Sequence, residues 1–125
     1  MSKIIMSDKI KSDRATTRQF LELLHQLQKI DPEFPLQYAV CLTEISLDEG
    51  CSLTTLAERA NLTLSTISRI VGALSDYRQN GQPYGLVEIR ISAAERRRKE
   101  LYLTTRGRTA LQKIGKVLEQ GAIAA

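Results

Sequence analysis

The order of segments along the chain predicts a mainly α protein with a small β-hairpin. Two observations carry that fold class. The stretch SLTTLAERANLTLSTISRIVGAL holds two short helical patterns joined by a tight turn. A polar interruption follows, and then GLVEIRISAAERRRKELYLTTRG supplies two apolar-alternating strands with four consecutive cations between them. Helix, turn, helix, strand, basic tip, strand is an order that can lay one helix in a major groove while an arm reaches the backbone or minor groove beside it.

Each element has a local reason. Residues 1–12 lack a clear period and are expected to form a flexible N-terminus. From Asp13 the apolar residues Phe20, Leu23, Leu24, Leu27 and Ile30 make one helical stripe, with Ser12 or Asp13 available as its cap. Asp31-Pro32-Glu33-Phe34-Pro35 breaks it, because each proline disfavours helix in the residue before it. A second helix is predicted from Leu36 to Leu47, with Leu36, Ala39, Val40, Leu42 and Ile45 on a broad apolar side and Glu49-Gly50 ending it. Cys41 inside this helix reads as a small buried hydrophobe, whereas Cys51 just after it is more open to a redox role.

A short helix should start at Ser52 or Leu53 and run to Ala60, with Leu53, Leu56, Ala57 and Ala60 inward. Asn61 suits the turn because it tolerates a left-handed backbone. Thr63 then caps a helix from Leu64 to about Tyr77, with Ile67, Ile70, Val71 and Leu74 inward. Its outward side gathers Ser65, Ser68, Arg69 and Gly72, with Thr66 beside them. Hydroxyls reach phosphates or base edges at short range, Arg can grip guanine with two hydrogen bonds, and Gly72 leaves room for close backbone approach. A plain surface helix would more often carry Glu and Lys, the better helix formers. Arg78 to Tyr84 is a loop, Leu86 to Ile91 and Glu100 to Leu103 are the strands, and Ser92 to Lys99 is the tip. Thr104 or Thr105 caps the last helix, whose stripe is Ala110, Leu111, Ile114, Val117 and Leu118, and Gly121 begins a short tail.

Bulk properties narrow the function. A chain of 125 residues with 42% hydrophobic and 26% charged residues suits one domain, placed at 13–120. Net charge is +4, and its distribution is uneven: only acids between Asp31 and Glu58, mainly cations between Arg90 and Arg108. That asymmetry predicts a positive end and an opposite negative end, as a groove-facing module has; a solvated hairpin with a basic tip is the alternative. Aromatics make up 5% with no Trp, a poor basis for stacking on unpaired bases. Met1 to Ile10 has no continuous apolar run, so neither secretion nor a membrane span is expected, and the default is a reducing cytoplasm with both thiols free. The single His25 flanks a helix stripe, and no phosphate loop, dinucleotide fingerprint or metal-ligand spacing occurs. No enzyme, metal or cofactor is expected.

With those residues in view, the chain resembles a MarR-type winged helix-turn-helix regulator over roughly Leu36 to Leu118. Glu95-Arg96-Arg97-Arg98-Lys99, then Leu103-Thr104 and Gly107, is similar to the family's wing signature, and Leu62 to Arg69 to its recognition-helix start. The resemblance implies that Arg97 enters the minor groove, positioned by an ion pair from Glu95, which stands where the family has Asp. It also implies that Ser65, Thr66, Ser68 and Arg69 face the major groove, with Thr54 and Thr63 near phosphates and Arg96 and Arg98 in the same basic tip. A homodimer through helices 13–30 and 105–120 would set two recognition helices about 34 Å apart on a palindromic duplex. The connector from Ser75 to Tyr84 is longer than the family's. The function expected is a sequence-specific double-stranded DNA-binding transcriptional regulator, a dimeric repressor. The alternatives are a winged-helix protein–protein module and a replication or partition DNA binder.

Overall fold

The computed structural model describes residues 3–78, 81–95 and 97–124, with side chains described from Asp13 to Gln120 within those ranges. The elements run α1 (Lys3–Ile30), α2 (Leu36–Leu47), β1 (Cys51–Ser52), α3 (Leu53–Ala60), α4 (Leu64–Leu74), β2 (Val87–Ile91), β3 (Lys99–Leu103) and α5 (Thr105–Ala124). A mainly α protein with a small β-hairpin is what folds. Among the described residues no helix is long and apolar enough to cross a membrane.

The core lies where α2, α3 and α4 meet the sheet. Leu42, Ile45, Leu56, Ile67, Ile70, Leu74, Leu86 and Leu101 are fully buried there. The inward stripes predicted for α3 and α4 are thus the ones the core uses. The sheet order is β1-β3-β2, all antiparallel, with Ile89 opposite Leu101 and Val87 opposite Leu103 on the inner face. Outside this core, α1 packs against α5. The Gln19 amide donates to the carbonyls of Val117 and Leu118 at 3.3 Å each, fixing that pair.

Several boundaries differ from the sequence expectation. The helix α1 begins at Lys3, not Asp13, because nothing between Lys3 and Ile30 is Gly or Pro and backbone helix propagates without an apolar stripe. The last helix α5 continues through Gly121 to Ala124 where a tail was expected, because a glycine costs a helix only about 1 kcal/mol and does not break it as proline does. The two-residue strand β1 was not foreseen; Cys51 pairs with Leu101 and Ser52 with Glu100, a run too short to show a period. On α2, Leu36 and Val40 are exposed while Cys41 is fully buried, so the core-facing side is rotated from the predicted one. Leu118 on α5 is likewise exposed.

The recognition-type helix α4 ends at Leu74, three residues short of Tyr77. Its last carbonyls are taken by a returning segment: Tyr84 N–H donates to Ala73, Leu86 to Leu74 and Gly85 to Ser75, at 3.0, 2.8 and 3.0 Å. Gly85 supplies the positive φ (+65°) that lets the chain make these bonds and enter β2. Gly72 does not stand open for a partner's backbone. A Cβ there would lie 3.4 Å from the Tyr77 carbonyl oxygen, so the connector already occupies that side.

Candidate nucleic-acid interface

Local capping builds the helix-turn-helix. Ser52 Oγ accepts the Thr55 amide at 3.1 Å and starts α3. Asn61 takes the left-handed conformation (φ 56°, ψ 47°), and Leu62 N–H returns to the Ala57 carbonyl, which closes the helix end and turns the chain. Thr63 Oγ1 accepts the Thr66 amide at 3.3 Å and starts α4 as the sequence predicts. Burying Ile67, Ile70, Val71 and Leu74 then fixes the rotation of α4. Ser65, Ser68 and Arg69 are exposed on its far side and Thr66 is half-buried.

The wing tip is organised by a residue the sequence reading passed over. Buried Ser92 accepts the amides of Ala94 and Glu95 on its hydroxyl, both at 3.2 Å, while its own N–H donates to the Arg98 carbonyl at 2.8 Å. The signal was present as Ser92-x-x-Glu95, the spacing of a side-chain-capped turn. The expected ion pair between Glu95 and Arg97 does not form; Glu95 instead holds the tip through its carbonyl, which accepts the Arg98 amide at 3.0 Å. An exposed pair of that kind gains little and would have to hold two long side chains in one geometry. Arg96 lies outside the described residues.

The tip and the helix-turn-helix meet across a cleft of about 550 Å³, lined by Thr54, Leu64, Glu95, Arg97, Arg98 and Lys99 among others. A second cleft of about 400 Å³ joins Thr54, Thr63 and Leu64 across the turn. Thr54, Thr63, Arg97 and Arg98 are thereby gathered on one side of the molecule. Ser65, Thr66, Ser68 and Arg69 line neither cleft and form the face of α4 beside them.

Three of the six acids in the 31–58 segment are paired with arginines: Asp48 with Arg59 at 2.7 Å, Glu49 with Arg108 at 2.8 Å and Asp31 with Arg78 at 3.7 Å. Arg90 is held by Glu88 at 3.1 Å and lies over the Tyr102 ring. Among the described residues, Arg69, Arg97 and Arg98 make no ion pair and no side-chain hydrogen bond. Their guanidiniums are uncommitted, which is what an anion-binding surface needs.

Neither thiol belongs to this surface. Cys41 and Cys51 are both buried. Burial, reinforced by Glu44, pushes the Cys41 thiol up to about 11, and burial with Asp48 raises Cys51. Raised thiols hold little thiolate at neutral pH, so the opening left for a redox role at Cys51 is not supported by its surroundings. His25 is exposed on α1, away from the clefts.

No protein-family model matches the chain, and no curated protein does. Solved structures resemble it over most of its length. RV1404 from Mycobacterium tuberculosis superposes with a TM-score of 0.73 at 18% identity, covering 99% of this chain and 79% of that one. The transcriptional repressor CouR, solved bound to a 23-mer DNA duplex, gives 0.61 at 25% identity over 86% of this chain and 69% of its own. A MarR-family transcriptional regulator from Silicibacter pomeroyi gives 0.57 at 21% identity over 88% and 68%. The helix-turn-helix, the three-stranded sheet with its basic tip and the flanking helices α1 and α5 are thus arranged as in the winged helix-turn-helix fold of MarR-family regulators.

Proposed function

We propose that the chain is a sequence-specific double-stranded DNA-binding transcriptional regulator, acting as a homodimeric repressor on a palindromic site. The observation that carries this is that Arg97 and Arg98, in no ion pair among the described residues, share one cleft with Thr54 and Leu64 beside a capped α4 that exposes Arg69. The likeness to CouR, itself solved on duplex DNA, supports the same direction. In this reading α4 enters the major groove and presents Ser65, Thr66, Ser68 and Arg69. The tip 92–99 reaches the minor groove or backbone with Arg97 and Arg98, and Thr54 and Thr63 sit at phosphates. Phosphate contacts supply the salt-sensitive affinity and the α4 face supplies discrimination. Occupying a promoter is then sufficient to repress it.

Selection of bound sequences from a random duplex pool, followed by salt titration, tests the proposal. A recovered palindrome and a steep fall of affinity with salt are expected. Absence of salt-sensitive binding to duplex DNA would point to a protein partner instead. Within a recovered site, Arg69→Ala should relax discrimination by about 1–3 kcal/mol at one base pair. Arg97→Ala should weaken all sequences alike.

A further inference from the structure

The first turn of α4 carries one side chain that the core does not explain. Leu64 is 53% exposed at the first helical position, between Thr63 and Ser65. It lines both clefts, so it projects where the wing, the start of α3 and the start of α4 converge. The hydroxyls around it are engaged with one another. Thr63 Oγ1 donates to Thr66 Oγ1 at 2.9 Å and lies 3.3 Å from Ser65 Oγ, besides accepting the Thr66 amide. The side chains of the first two turns that keep their whole contact capacity for a partner are therefore Leu64, Ser68 and Arg69.

We infer that Leu64 is a specificity-determining residue that packs on the C5-methyl group of a thymine in the major groove, an inference that rests on the DNA-binding reading above. A leucine offers neither donor nor acceptor, so it can use no phosphate and no polar base edge. The thymine methyl is the apolar group that the major-groove edge of unmodified duplex DNA displays. In helix-turn-helix proteins the N-terminal residues of the second helix are the ones that reach base edges. Leu64 thus adds a thymine at one position of each half-site to the base pair that Arg69 reads.

Uracil keeps every hydrogen-bonding group of thymine and lacks only the methyl, so it isolates this contact. The duplex recovered from the random pool is remade with each thymine replaced singly by deoxyuridine, and affinity is measured for the wild-type protein and for Leu64→Ala. Wild type should lose roughly four-fold at one position per half-site, the worth of one buried methyl group. Leu64→Ala should bind the thymine and uracil forms equally there. A wild-type scan with no uracil-sensitive position overturns the inference without any variant. A uracil penalty that survives in Leu64→Ala also overturns it, because another group then reads the methyl. Failure to recover any preferred duplex is a different result, since it removes the DNA-binding reading itself. An unchanged thermal unfolding midpoint for Leu64→Ala shows that the exposed position was altered without loss of fold.

Discussion

Glu49 carries much of the link between the sheet and α5. In the register of β1 it falls opposite Leu103, but it offers its carboxylate where a strand would offer a carbonyl: Oε1 accepts the Leu103 amide at 2.8 Å. Arg108 closes on both oxygens at 2.8 and 2.9 Å. The Leu103 amide and then Arg108 hold the carboxyl below the ordinary glutamate value. A depressed folded pKa contributes stability above the unfolded value, near 4.3, and that stability is lost as pH falls through the folded one. Glu49→Gln keeps an acceptor for Leu103 and removes the charge. It should cost about 1 kcal/mol near neutral pH, discounted for partial exposure, and urea unfolding should show the gap closing below about pH 4. A gap independent of pH would assign the loss to packing. Tyr84 has the opposite sign. Burial, and then the hydrogen bond its hydroxyl donates to Asp31 at 2.6 Å, push it up to about 12. Stability from that neutral phenol is complete below the unfolded value near 10 and is lost as pH rises towards 12. Tyr84→Phe should melt earlier than wild type at neutral pH, and the two should converge across that alkaline window.

Among the elements, α5 holds two glycines that should respond oppositely to the same change. At Gly107 a Cβ would sit 2.1 Å from the Leu86 carbonyl oxygen, the oxygen that accepts the Thr104 amide. Gly107→Ala must push α5 off the start of β2, and should cost about 3 kcal/mol or more in urea unfolding. Gly115 has nothing within 4 Å of a built Cβ, so Gly115→Ala should stabilise α5 by about 0.5–1 kcal/mol. Equal effects at the two sites would contradict the close approach. The same contrast separates what could be read in the sequence from what could not. The turn at Asn61, the cap at Thr63 and the buried faces of α3 and α4 were legible because each follows from residues within a few positions. The end of α4 was not, since its last carbonyls are claimed by amides ten or more residues away. β1 has only two residues and exists through its pairing with β3. The exposed arginines of the site were legible as a run of cations, but the buried Ser92 that shapes their turn required a capping pattern to be noticed inside a hairpin.

At the scale of the whole molecule, the unfinished part is the α1/α5 layer. Within one chain these helices cover each other only in part: Phe20 is 58% exposed, Leu21 49% and Leu118 51%. Gln19 binds the Leu118 carbonyl, which places Phe20 and Leu118 on neighbouring turns of the two packed helices. Large apolar side chains at half exposure on adjoining turns form a surface that a second copy could cover. The proposed homodimer uses this face, and its two-fold symmetry would give each recognition helix its own half-site. Phe20→Glu places a charge at the centre of that face and touches none of the fully buried core. Sedimentation should then report a monomer with unchanged helix content, while wild type sediments as a dimer at the same concentration. Binding to a palindrome should fall by roughly 100-fold or more, because the second half-site contact is no longer tethered to the first, whereas binding to an isolated half-site should hardly change. A Phe20→Glu protein that remains dimeric would exclude this face. The exposed Leu36, Val40 and Leu47 on α2 would then be the surface to alter.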